Sequence, residues 1–188
     1  VLEPLPNLSK LLKGPKIWIK RDDCTGLAMG GNKARQLEYY LGHALSKKAD
    51  TILTTGAIQS NHVRMSVAGA RKLGMDVEVL LEHRVNNRKS EYYQSGNPFL
   101  IELMGAKTHY SNVDDDEDGT DDRLFDLAET LRQQGKKPYV IPLSENYTPF
   151  GSLGYVDCAV ELLQQCKKQE IFVDAIVLAS GSAATHSG

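Results

Sequence analysis

The residues of this chain best suited to do chemistry are Gly30-Gly31-Asn32-Lys33. Two glycines let the backbone reach positive φ and pass close to a ligand. A lysine held on such a turn, partly out of water, loses proton affinity and becomes an amine nucleophile able to form a Schiff base. Lys33 is therefore a candidate nucleophile. A solvated lysine after a glycine turn has the same spelling, and the tetrapeptide alone does not separate the two readings.

Two further groups of residues could act on a ligand. Gln59-Ser60-Asn61-His62 sets two amides, a hydroxyl and an imidazole at a helix start after a strand. Ser60 is also a ready N-cap, a duty compatible with binding. For His62 a structural and a catalytic role are both open. The run Ser180-Gly181-Ser182-Ala183-Ala184-Thr185-His186-Ser187-Gly188 has the make-up of a phosphate cradle. Small residues let backbone N–H groups face an anion, the hydroxyls of Ser182 and Thr185 can donate, and a following helix would add its N-terminus. It is not a P-loop, since no Gly-Lys-Ser/Thr follows. An ordinary small-residue strand-to-helix turn is the alternative. His43, His83 and His109 stand singly on strand or helix patterns and read as structural. His186 has no neighbouring cysteine or carboxylate, so no metal site is expected. The acidic run Asp114-Asp115-Asp116-Glu117-Asp118 lacks the spacing of a calcium loop and reads as a solvated loop.

The elements that must position these groups alternate between strand and helix. Strands are expected over 16–20, 51–55, 77–81, 107–110, 139–141 and 175–179, the last uniformly apolar and so buried on both faces. Helices are expected over 32–48, with Leu37, Leu41 and Leu45 on one face, and after Ser60, with Val63, Val67 and Ala70 on another. A helix interrupted at Gly96-Asn97-Pro98 is expected over 91–104. Two more carry the stripes Leu124, Leu127, Ala128, Leu131 and Leu153, Val156, Val160, Leu163. Residues 56–59 read as a turn. This alternation argues an α/β fold with a parallel sheet between helices, and ligands then sit off the carboxyl ends of strands.

Composition excludes several classes. A formal charge of -2 over 188 residues leaves no nucleic-acid or membrane-surface footprint, and no apolar run spans a bilayer. Cys24, Cys158 and Cys166 fit no zinc or disulfide framework, which favours a reducing compartment, the cytoplasm. The chain opens at Val1 without Met and stops in a glycine-containing loop, and so reads as a truncated piece of a longer protein.

Three features coincide: a glycine-set lysine, a polar helix start after a strand, and a cradle loop after a later strand. The words are Ile19-Lys20-Arg21-Asp22-Asp23, Ala28-Met29-Gly30-Gly31-Asn32-Lys33, Arg35-Gln36-Leu37-Glu38 and Gly56-Ala57-Ile58-Gln59-Ser60-Asn61-His62-Val63-Arg64, closed by the loop from Ser180. In order and spacing, over nearly the whole chain, they resemble the pyridoxal-phosphate enzymes of the tryptophan synthase β-like group. Within it they look most like the D-cysteine desulfhydrase and aminocyclopropane-carboxylate deaminase family. Asp22 and His62 look like the desulfhydrase branch; the deaminase branch usually has Glu and Gln there. Relatives often carry Gly in place of Ala184.

The resemblance implies fold type II, two three-layer α/β/α domains with the cofactor between them. Residues 1–34 and 144–188 would belong to the large cofactor domain and 35–143 to the small one. Lys33 would hold pyridoxal 5'-phosphate and, once freed, take the substrate α-proton. Asn32 and Asn61 would also contact the cofactor, Asn61 at its phenolic oxygen. Gly181, Ser182, Ala183, Ala184 and Thr185 would hold the phosphate. Gln59, Ser60, Asn61 and His62 would line the substrate side, with Ser60 also catalytic. The implied reaction is β-elimination of D-cysteine to pyruvate, ammonia and hydrogen sulfide, in a homodimer acting on a small amino acid. The ring-nitrogen partner and active-site tyrosines of the family would lie past Gly188, so the 188 residues alone are expected to be inactive. Deamination of aminocyclopropane-carboxylate, lyase action on cysteate or another β-substituted amino acid, and a non-catalytic ligand-binding domain are the alternatives.

Overall fold

The computed structural model describes residues 1–85, 88–111, 117–143 and 147–188. Strand β1 (Leu2–Pro4) pairs antiparallel with β2 (Trp18–Lys20) around the short helix α1 (Pro6–Leu12). Then follow α2 (Lys33–Ser46), β3 (Thr51–Ala57), α3 (Asn61–Lys72), β4 (Asp76–Glu82), α4 (Ser90–Gln94), α5 (Asn97–Leu103), β5 (Lys107–Ser111), α6 (Glu117–Gln133) and β6 (Pro138–Ile141). Helices α7 (Leu153–Lys168) and α8 (Ala184–Ser187) close the chain.

Strands β3 to β6 form one parallel sheet in the order β5-β4-β3-β6. Side chains alternate across a strand, so a central strand feeds two layers. Ile52, Val77, Val79 and Leu81 pack with Leu37 and Leu41 of α2 and Val63 and Val67 of α3. Leu53 and Leu80 turn the other way, onto Leu124, Ala128 and Leu131 of α6. Each of these buried Leu, Ile and Val side chains contributes roughly 1.5–3 kcal/mol by leaving water. The result is a three-layer α/β/α unit with β3, the strand that leads into Ser60, at its centre.

Three expectations need correction. Strand β3 runs through Gly56 and Ala57, which pair with Leu81 and Glu82, so the turn begins only at Ile58. Residues 175–179 form no strand: no neighbouring strand lies beside them among the described residues, and Val177 is 96% exposed. A strand buried on both faces needs partners for its ladder, which these residues do not supply. The stripe Leu153, Val156, Val160 and Leu163 does lie on a helix, but it is exposed, because α7 meets α2 through Gly154 and Cys158 instead. There a Cβ on Gly154 would come within 2.1 Å of the Arg35 carbonyl oxygen, so the two helix backbones touch. Residues 114–116 of the acidic run lie outside the described residues.

Candidate active site

Lys33 is the first residue of α2, and its turn is clamped from both sides. Thr25 Oγ1 accepts from the Gly31 N–H at 2.9 Å and donates to the Gly31 carbonyl at 2.9 Å. Arg64, reaching from α3, donates to the Gly30 carbonyl at 3.1 Å and to Asn97 at 2.7 Å. Gly30 sits at φ 79°, where a Cβ would fall 1.8 Å from the Asp23 carbonyl oxygen. No other residue type fits there. Burial lowers the Lys33 pKa, and no ion pair holds its ammonium among the described residues. That environment favours the neutral, nucleophilic amine.

The base of α2 is held by a charged network. The Asp22 carboxylate accepts from Arg35 Nε at 3.0 Å and Nη2 at 2.9 Å, and from the Tyr155 hydroxyl at 2.8 Å. Glu161 of α7 accepts from Lys20 at 2.6 Å and from Arg35 at 2.9 Å. Those two cations hold its carboxyl near 2, well below the usual carboxylate range. Tyr39 adds a hydrogen bond to Asp157. Strand β2, α2 and α7 are thereby fixed to one another, and Lys33 with them.

Four polar side chains then join the three sequence motifs. Asn61 Nδ2 donates to Asn32 Oδ1 at 3.3 Å, and Asn32 Nδ2 donates to Thr185 Oγ1 at 3.3 Å. Gln36, one helical turn beyond Lys33, also donates to Thr185 Oγ1, at 3.4 Å. The glycine-set lysine, the start of α3 and the loop before α8 therefore meet around one cleft of about 920 Å³. Lys33, Ser60, Asn61, His62, Gly181, Ser182, Ala183 and Ala184 line it, while Asn32 and Thr185 brace its wall. Its lining carries the basic side chains of Lys33 and Arg84 and, among the described residues, no carboxylate.

Ser60 caps α3 by accepting from the Val63 N–H at 3.2 Å, as its position predicts, and keeps its own proton to donate. His62 is buried, with Nε2 3.0 Å from Thr54 Oγ1, and desolvation followed by the charge of Lys33 drops its pKa to about 3. Gln59 does not line the cleft. Its amide donates to the Tyr92 and Ser95 carbonyls and accepts from the Asn97 N–H, tying α3 to α4 and α5. Helix α8 is a single turn, so its dipole would add little to the hold on an anion at the loop before it. The expected motifs did not single out Thr25, Thr54, Tyr40 or Arg84. Of these only Tyr40 had a signal, lying seven residues after Lys33 and hence on the same face of α2.

The donor set suits an aldehyde bearing a phosphate. The N–H groups of Gly181, Ser182 and Ala183 donate to no carbonyl among the described residues. Thr185 Oγ1 receives two amide N–H groups and retains its proton for an anion. An amine with lowered proton affinity faces the same space.

The chain is similar to known proteins over its whole length. D-cysteine desulfhydrase of Serratia proteamaculans is 44% identical over 187 residues, and that of Klebsiella pneumoniae is 45% identical; each alignment covers all of this chain and 55% of the relative. The chain thus spans about half the length of the curated relatives it matches. A crystal structure of an ACC deaminase homologue superposes with a TM-score of 0.84 at 40% identity, covering 98% of this chain and 53% of that one. Escherichia coli diaminopropionate ammonia lyase in apo form shares the fold, with a TM-score of 0.71 at 21% identity over 98% of this chain and 51% of its own. The family model of the pyridoxal-phosphate dependent enzymes matches residues 1–188. With that match over the whole chain, and with the lysine turn, the start of α3 and the loop before α8 gathered on one cleft, the chain belongs to that family, in its fold type II form.

Proposed function

We propose that this protein is a carbon–sulfur lyase that converts D-cysteine to pyruvate, ammonia and hydrogen sulfide. The observation that carries the reading is the meeting of Lys33, Asn61 and Thr185 on one cleft through the Asn32 amide. The two relatives named above support the choice of substrate.

Pyridoxal phosphate, when bound, supplies an electron sink for the charge left on the substrate α-carbon. Lys33 Nζ holds the cofactor and, once free, takes the α-proton, a task its lowered pKa suits. Thr185 Oγ1 and the N–H groups from Gly181 to Ala184 hold the phosphate, and Asn32 and Gln36 aim the threonine. Asn61 would donate to the phenolic oxygen of the cofactor. Ser60 Oγ and the free N–H groups opening α3 take the substrate carboxylate. Loss of the α-proton and the β-sulfur releases hydrogen sulfide, and hydrolysis of the remaining enamine gives pyruvate and ammonia. Residues 35–143 act as the small domain, and 1–34 with 144–188 as part of the large one.

Borohydride reduction of the full-length protein with pyridoxal phosphate, followed by peptide mass mapping, tests the site. A pyridoxyl group on Lys33 is expected. Its appearance on another lysine would refute the assignment of Lys33, and its appearance on none would restore the non-catalytic reading. Sulfide release from D-cysteine then tests the substrate. Deamination of aminocyclopropane-carboxylate is the second reading, favoured by the ACC deaminase homologue among the structural relatives. Release of 2-oxobutyrate from that four-carbon amino acid, and of pyruvate from cysteate, measured beside pyruvate from D-cysteine, separates them. The proposal includes a cytoplasmic homodimer. Three free cysteines suit a reducing compartment, and sedimentation checks the dimer.

A further inference from the structure

Thr54 lies on β3, fully buried, with its hydroxyl between two partners. The Ile141 carbonyl oxygen is 3.1 Å away and His62 Nε2 is 3.0 Å away. A hydroxyl has one proton and two lone pairs, and a carbonyl can only accept. Aiming the proton at the imidazole would set two oxygen lone pairs against each other at 3.1 Å, away from water. The proton therefore goes to Ile141, and Thr54 turns a lone pair toward His62. Nε2 must then carry a hydrogen.

The second ring nitrogen follows by elimination. A doubly protonated ring is opposed by burial and by the neighbouring charge of Lys33. A neutral ring with its hydrogen on Nε2 has a bare Nδ1. This atom has no partner among the described residues, and it is not one of the buried unpaired polar atoms there, which are Arg64 Nε, Ser66 Oγ and Ser111 Oγ. It therefore opens onto the cleft that His62 lines.

We propose that Thr54 locks His62 in the tautomer protonated on Nε2, so that Nδ1 offers a lone pair to the cleft and accepts a hydrogen bond from the ammonium or thiol of the substrate. The ligand half of this rests on the amino-acid lyase reading; the tautomer half does not. Thr54 is a positioning residue, and His62 makes the contact. The arrangement also discriminates. A sulfonate or a second carboxylate facing Nδ1 would set lone pair against lone pair, whereas a thiol or an ammonium meets an acceptor.

The test uses full-length protein with 15N-labelled histidine. Imidazole nitrogen shifts of the wild type should show a pyrrole-type Nε2 and a pyridine-type Nδ1 for His62, unchanged as pH is varied between 5 and 8. Thr54→Ser keeps the hydroxyl and should keep both shifts. Thr54→Val keeps the shape, removes the hydroxyl and should lose the fixed tautomer. With it, KM for D-cysteine should rise roughly tenfold, the weight of one hydrogen bond, while kcat changes less and Thr54→Ser restores KM. A proton on Nδ1 in the wild type would overturn the proposal. So would a Thr54→Val protein that keeps both the tautomer and KM. If Thr54→Val fails to fold, the wild-type and serine spectra still decide. If no form releases sulfide from D-cysteine, the substrate reading fails while the nitrogen shifts still report the tautomer.

Discussion

Thr185 carries two duties on one hydroxyl. It receives the amides of Asn32 and Gln36, and its proton remains for an anion. Thr185→Val removes both functions. A hydrogen bond to a charged group contributes about 1.5–3 kcal/mol, so the dissociation constant for pyridoxal phosphate should rise roughly ten- to hundredfold. Titration of the apoprotein with cofactor measures this, and turnover at saturating cofactor should change less. Unchanged affinity would remove Thr185 from the cradle. Lys33→Ala should act differently, giving no borohydride-reducible adduct and no sulfide release, with an unaltered circular dichroism spectrum. Normal turnover by that variant would show that another amine does the work.

At the scale of elements, the contact between α2 and α7 is electrostatic as well as steric. Glu161 titrates near 2 in the folded chain against an ordinary 4.5. A depressed carboxyl stabilises the fold fully above its unfolded value, and that contribution is lost as pH falls from about 4.5 toward 2. The side chain is 39% exposed, so solvent screening limits the effect to about 1 kcal/mol. Urea unfolding of wild type and Glu161→Gln should show a difference at pH 5 that shrinks by that amount at pH 2. A constant difference would mean that the ion pairs contribute nothing. The same elements show what can be read from sequence. Helices α2 and α3 and the strands of the sheet declare themselves, because their apolar residues recur at the spacing of the buried face and Ser60 marks a helix start. The three site motifs were legible through their coincidence in one chain, since each alone has an ordinary structural reading. The stripe of α7 and residues 175–179 were misread because apolar spelling reports what a segment could bury, while burial needs a partner surface. Thr54 was invisible as a site residue, since a threonine within a strand is common and its meaning lies in Ile141, far along the chain.

At the scale of the molecule, two stretches near the end of the chain carry exposed apolar side chains. Val156, Val160 and Leu163 of α7 stand 45%, 50% and 71% exposed, and Phe172, Ile176 and Val177 in the segment that follows stand 95%, 66% and 96% exposed. Six such side chains within 22 residues are a large apolar load for one stretch of surface. The 188-residue chain by itself should bind a hydrophobic fluorescent dye strongly, and Val160→Lys with Leu163→Lys should cut that signal. A dye response no stronger than that of an ordinary globular domain would mean that these side chains are covered in solution.

The sheet order also sets a sequence in time. Strand β3 meets β4 across short chain separations, as in the bond from Thr55 to Leu80, 25 positions apart. It meets β6 only across 87, as in the bond from Thr54 to Ile141. Closing the longer loop costs about 1 kcal/mol more in chain entropy, and such distant pairings form late. Pulse-labelled hydrogen exchange during refolding should therefore protect the amides of β4 before those of Tyr139 to Ile141. Simultaneous protection would place β6 in the folding nucleus. If β6 docks last, the hydroxyl of Thr54 has no carbonyl to face until then, and the imidazole of His62 samples both tautomers throughout the earlier stages. The position of one proton in the cleft would then be among the final things the folding chain decides.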